Sequence, residues 1–313
     1  RHVVLGLGGR TQGMPREGGF DITAASEVMA MLCLAENPDD LRERIDRTLV
    51  GFSFDGEPVL AKELGVTGAM LALLRDALHP NLVQTLEGVP ALIHGGPFAN
   101  IAHGCNSILA TRTAMHLADW AVTEAGFGFD LGAEKFFDIK CRAAGLDPDL
   151  VVLVTTTRAL KMHGHKALDQ LDAPDPAAVE TGLPNLEKHI ENVQHFGKEP
   201  VVALNRFAGD QDEEIEVVRA CCEKVGARFA VSDHYARGGE GAEDLARAVI
   251  EAGATESTPW SPLYNLEDSV PDKILKVAQT VYGARDVEYT KKAEKDLQEI
   301  ERLGYAELPI CIA

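Results

Sequence analysis

The feature that most constrains this chain is a change of rhythm that repeats along it. Short apolar runs rich in β-branched residues are each followed by a stretch with helical periodicity. The runs lie at 3–7, 91–93, 121–123, 150–155, 201–204 and 228–231, and the amphipathic stretches at 23–34, 133–144, 183–196, 211–225 and 244–250. Continuous apolar strands alternating with helices predict an α/β fold with a doubly wound, mostly parallel sheet covered on both faces. The proline-rich stretch 173–184, with Pro174, Pro176 and Pro184, predicts a loop. A domain boundary is placed there, dividing the chain into 1–184 and 185–313. Glu213, Glu214 and Glu216 open the helix that starts near Asp212. They suit the positive end of a helix dipole and read as a solvated helix start.

The 313 residues suffice for two α/β domains with their own cores. The formal net charge of −19 sets the surface against nucleic acid and anionic membranes, so any site for an anionic ligand must be locally basic. No apolar run is long enough to cross a membrane as a helix, and the N-terminus lacks the pattern of a secretory signal. The chain starts at Arg1 in a strand-like run with no initiator methionine, which is the expectation for a cut through a longer protein. Six cysteines without a C-x-x-C pair read as reduced, buried, cytosolic thiols.

Four segments carry polar chemistry. The first is His94-Gly95-Gly96-Pro97-Phe98-Ala99-Asn100-Ile101-Ala102-His103-Gly104-Cys105-Asn106-Ser107, between a short strand and a helix. Glycines let backbone N–H groups approach a ligand, helix N-termini favour anions, and ligands of α/β sheets bind where strands end. His94, Gly95, Gly96, Asn100 and His103 are therefore candidate contacts. The second is Thr155-Thr156-Thr157-Arg158-Ala159-Leu160-Lys161, in which Arg158 and Lys161 either hold an anion or decorate a capped turn as solvated charges. In the third, Asn205-Arg206-Phe207, the Asn205 amide either pairs with an adenine edge or forms a buried turn. The fourth is the glycine-rich turn from Ser232 through Tyr235 to Gly241. Phe207 and Tyr235, on loops after successive strands, can sandwich a flat ring.

These segments, with Pro15-Arg16-Glu17, Phe20-Asp21-Ile22, Ala25-Ser26-Glu27-Val28-Met29, the block from His79 to Glu87, Thr123-Glu124-Ala125-Gly126-Phe127-Gly128 and Leu303-Gly304-Tyr305, closely resemble formate–tetrahydrofolate ligases along the full length of the chain. The resemblance implies a partial P-loop NTPase-type domain (1–184) followed by a smaller Rossmann-like domain (185–313). It implies a cytoplasmic homotetramer that makes formyl phosphate from ATP and formate, with Mg²⁺, and passes the formyl group to N10 of tetrahydrofolate. By the same resemblance His94 lies near formyl phosphate, Phe127, Phe207 and Tyr235 match the folate pocket, and Asn205 and Ser232 fall at the nucleotide base. No metal ligand is assigned.

Two positions depart from the family pattern: Tyr235 stands where tryptophan is usual, and Gly164-His165 where Gly-Gly is usual. The Gly-x₄-Gly-Lys-Thr loop that grips ATP phosphates does not occur in the sequence. In the family it precedes the residue matched by Arg1, and the family continues past Ala313. The chain is thus expected to be a fragment and inactive alone. The alternative is a non-catalytic folate- or nucleotide-binding module. An in-frame P-loop upstream of Arg1 separates the two.

Overall fold

Three of the apolar runs pair as expected. In the computed structural model, which describes residues 2–19, 22–255 and 257–312, they form a parallel three-stranded sheet. Arg1, Phe20 and Asp21, quoted above, lie outside the described residues. The chain divides into two compact units, one up to Phe127 and one from Gly128 to Ile312.

The first unit contains β1 (His2–Leu5), β2 (Arg16–Gly19), α1 (Glu27–Leu34), α2 (Pro38–Asp46), β3 (Leu49–Phe52), β4 (Pro58–Leu60), α3 (Thr67–Leu74), β5 (Asn81–Gln84), β6 (Pro90–Ile93) and α4 (Ile108–Leu117). Its strands pair β1–β2, β3–β4 and β5–β6, all antiparallel. This corrects the expectation that runs 3–7 and 91–93 join a parallel sheet. The connections decide it. A parallel crossover needs a dozen or more residues, whereas the β5–β6 turn is closed locally by Thr85 N–H donating to Val89 O at 2.9 Å. Residues 121–123 form no strand; the neighbouring Ala125 makes only an isolated bridge to Cys105. The helices start where side chains cap them: Ser26 Oγ accepts from Val28 N, Asn37 Oδ1 from Asp40 N with Pro38 at the first position, and Ser107 Oγ from Ala110 N. The core gathers Leu32, Cys33, Leu41, Ile45 and Leu78, with methionines filling its edge.

The second unit contains β7 (Val151–Thr155), α6 (Thr157–His163), α7 (Pro176–His195), β8 (Pro200–Asn205), α8 (Asp212–Lys224), β9 (Arg228–Ser232), α9 (His234–Arg237), α10 (Glu243–Gly253), α11 (Val270–Tyr282) and α12 (Lys291–Arg302), preceded by α5 (Arg142–Ala144). The strand order is β7-β8-β9, in a register that pairs Thr155 with Leu204 and Asn205 with Ser232. Central β8 buries Val201, Val202, Ala203 and Leu204 completely, as a strand covered on both faces must. Edge strand β7 does not follow: Val152 and Val154 are exposed, so the sheet is covered on both faces only at its centre.

The predicted loop at 173–184 is helix from Pro176 onward. Asp175 caps α7 by accepting from Ala178 N, Pro176 is pre-organised for the first turn, and Pro184 sits inside the helix. An interior proline removes an N–H donor and costs roughly 3 kcal/mol. Burial of Val179, Leu186, Ile190 and Val193 on the same helix offsets it. Residue 184, where the sequence reading put a domain boundary, lies within this helix. Helices α6 and α7 approach so closely that a Cβ on Gly164 would stand 1.9 Å from Ala178 O, and one on Gly182 2.0 Å from Leu160 O. The stretch expected as helix at 133–144 begins earlier and is wound partly in π turns, at Phe129–Ala133 and Phe136–Cys141. It is buried all round rather than amphipathic. Phe137 stacks on Phe196 with ring centres 4.6 Å apart. Among the described residues no helix is long and apolar enough to cross a membrane.

Candidate functional site

In the first unit, the segment after β6 is organised around His94. The ring is 5% exposed. Nε2 lies 2.7 Å from Ala77 O, and Nδ1 2.6 Å from Ser107 Oγ. A carbonyl only accepts, so Nε2 carries the proton. Ser107 Oγ also accepts from Ala110 N, and both ring nitrogens of His94 are engaged. Gly95 holds φ +73, and a Cβ there would meet Cys33 Sγ at 2.1 Å, so only glycine fits. Gly95, Gly96 and Asn100 are exposed and form the open part of the loop. His103 is buried and its Nε2 reaches Ala30 O at 3.3 Å.

Phe127 ends this unit. Its φ of +61 is left-handed, its ring is 69% exposed, and glycines flank it. A bulky residue pays about 1–2 kcal/mol for that conformation and persists only where the surroundings impose it. His165 takes φ +66. These are the two non-glycine residues with positive φ among the described residues.

In the second unit the C-terminal ends of β7, β8 and β9 lie side by side. The register places Asn205, half-buried, beside Ser232, buried, and Arg206 N–H donates to Ser232 O at 2.9 Å. Ser232 Oγ and His234 Nδ1 are 2.9 Å apart. Past these polar ends stand two exposed rings, Phe207 and Tyr235, with no ring contact between them among the described residues. Arg158 is exposed and paired with Asp172.

Lys161 differs from its reading as a ligand-holding or solvated cation. It is 2% exposed, and its Nζ meets Glu214 Oε1 at 3.0 Å and Ala173 O at 3.2 Å. Glu214 differs likewise from a solvated helix start: it is fully buried and accepts from Asp175 N and Gln211 N as well. Desolvation pushes its carboxyl up, but those backbone donors and Lys161 outweigh it, and the net shift is downward. The sequence reading missed Thr157, Asp210 and Glu214. Glu214 had a signal, the Gln-x-x-Glu of a capping box.

Beside the ends of β8 and β9 lies a cleft of about 440 Å³. Its cations, Arg206, Arg219 and Arg237, are outnumbered by carboxylates that include Asp212, Asp233 and Glu240, so it does not suit a phosphate. Among the described residues no three His, Cys, Asp or Glu side chains converge on a point that could hold a metal ion.

The family model for formate–tetrahydrofolate ligase matches residues 1–313. The chain belongs to the formate–tetrahydrofolate ligase family. Curated relatives in this family include the formate–tetrahydrofolate ligases of Bacteroides fragilis strains NCTC 9343 and YCH46, each 52% identical over 316 aligned positions. The alignments take in 100% of this chain and 57% of each relative, so the chain spans little more than half the length of the ligases it matches.

Proposed function

We propose that this chain is part of an ATP-dependent ligase that joins formate to tetrahydrofolate. A formate oxygen attacks the terminal phosphorus of ATP and ADP leaves, giving formyl phosphate. N10 of tetrahydrofolate then attacks the formyl carbon, the carbon–oxygen bond to phosphate breaks, and N10 loses its proton. The observation that carries this reading is family membership along the whole chain. The strand ends support it, with Asn205 and Ser232 in register and exposed rings just beyond them.

In this reading Phe207, Tyr235 and Phe127 contact the folate, and Asn205 and Ser232 the nucleotide base. Gly95, Gly96, Asn100, His103 and Arg158 are anion or loop contacts. His94 is the proposed catalytic residue; acting on a ligand requires Nε2 to leave Ala77 O or Nδ1 to leave Ser107. Lys161, also read as an anion or loop contact, has its Nζ engaged by Glu214 and Ala173 O. The sheet is read as part of a doubly wound P-loop NTPase-type fold. The division at 184/185 is read as one between a P-loop NTPase-type domain for nucleotide and formyl phosphate and a smaller Rossmann-like domain that contributes base and folate contacts. The assembly is read as a cytoplasmic homotetramer. The chain by itself is inactive, because no Gly-x₄-Gly-Lys-Thr loop in it grips the ATP phosphates. Mg²⁺ would accompany ATP, and no step is routed through it.

The test is Phe207→Ala in the whole protein. Losing one aromatic face should raise the KM for tetrahydrofolate roughly tenfold, equivalent to about 1.4 kcal/mol, and leave the KM for ATP within about twofold. Equal losses for both substrates would remove Phe207 from the folate site.

A further inference from the structure

Phe207 combines an exposed side chain with a backbone held at both ends. Its ring is 54% exposed. Its N–H donates to Asp210 Oδ2 at 2.9 Å, and its carbonyl accepts from Asp210 N at 3.0 Å. The other carboxylate oxygen, Asp210 Oδ1, accepts from Thr157 Oγ1 at 2.5 Å. Asp210 is 7% exposed and Thr157 fully buried. Thr157 opens α6 directly after Thr156, which caps that helix and follows β7. One carboxylate thus ties the end of one strand to the loop after its neighbour. Beneath it, the buried Lys161–Glu214 pair joins α6 to the first turn of α8.

Packing alone does not call for this arrangement, because the ring it holds is not packed. Fixing a residue in advance removes the ordering cost that a ligand would otherwise meet on binding. We propose that Thr157 and Asp210 are positioning residues that hold the Phe207 ring ready for a flat aromatic ligand. The inference rests on the reading of Phe207 as a folate contact, the ligand being the pterin or aminobenzoyl ring.

Steady-state kinetics of the full-length protein test it, with Thr157→Val, Thr157→Ser, Asp210→Asn, Phe207→Ala and the double variant Thr157→Val/Phe207→Ala. Thr157→Val and Asp210→Asn should raise the KM for tetrahydrofolate about five- to tenfold, with kcat and the KM for ATP within about twofold. Thr157→Ser, which keeps the hydroxyl, should restore it. In the double variant the effect should be no larger than that of Phe207→Ala alone, since Thr157 acts through that ring. A folate KM untouched by Thr157→Val and Asp210→Asn while Phe207→Ala raises it overturns the inference and leaves the folate reading standing. Additive effects in the double variant, or losses in all constants that follow a lowered Tm and persist in Thr157→Ser, overturn it too. Should Thr157→Val fail to fold, Asp210→Asn against Thr157→Ser decides. No response to Phe207→Ala sinks the folate reading and this inference together.

Discussion

The His94 ring joins three points that are distant in sequence: Ala77 before β5, the strand end at β6 and the cap of α4 at Ser107. Removing it takes a partner from the buried Ser107 hydroxyl, and an unsatisfied buried polar group costs about 1–3 kcal/mol. His94→Ala should therefore lower stability by about that much in thermal or denaturant unfolding. Its proposed catalytic role adds a loss of turnover on the order of a hundredfold, beyond what that destabilisation explains; near-normal turnover would leave the ring a purely structural one. At this scale the sequence was partly legible. Residue type and spacing marked His94, Phe207 and Tyr235 as positions worth attention, but only the fold shows what each side chain meets. Arg158 and Lys161 sit one helical turn apart with similar charge, yet one is exposed and the other buried against Glu214. Nothing in either residue distinguishes them; the crossing of α6 with α8 does.

Among the elements, α6 is short and owes its position to its neighbours. Gly164 and Gly182 let it lie against α7, and Lys161 fixes it to α8 through Glu214 and to the segment before α7 through Ala173 O. A buried pair is expensive to form, and breaking it from one side is worse, because the remaining charge keeps its desolvation cost. Lys161→Met should destabilise the protein by about 3–5 kcal/mol in urea unfolding. A loss below about 1 kcal/mol would place the pair with surface ion pairs and remove it as the anchor of α6. Helices α7 and α8 show how far element prediction reaches. The periodicity of 211–225 was enough to place α8, whereas three prolines hid the start of α7. Proline disfavours a helix locally, and the buried face of α7 overrides that preference only once β7 and β8 are there to pack against.

For the molecule as a whole, the helix turns between Phe129 and Cys141 carry two buried carboxyls, Glu134 and Asp138. Burial, reinforced by the charge of Asp138, pushes the Glu134 carboxyl up to about 8, and burial pushes Asp138 up to about 6. A carboxyl whose folded pKa exceeds its unfolded value binds a proton in the native state that the unfolded chain has released. Its contribution to stability is therefore full below the unfolded value of 4.5 and declines as pH rises towards about 8. Stability measured at pH 5 and pH 8 should fall across that window, and Glu134→Gln should flatten the fall by an amount on the order of a few kcal/mol. Identical slopes in both proteins would show that Glu134 is already ionised when folded. By itself the sequence determined the α/β class, the parallel trio β7, β8 and β9, the polar loops that follow them and the family, because local periodicity and long identical blocks are properties of the chain alone. The tertiary structure decided the rest: that the strands of the first unit close into antiparallel hairpins, that Lys161 and Glu214 turn inward, that His94 has both nitrogens engaged, and that Asp210 holds the loop of Phe207. Each of these depends on which distant segment supplies the partner, and a polar group's partner is set by three-dimensional proximity rather than by the residues beside it in the chain.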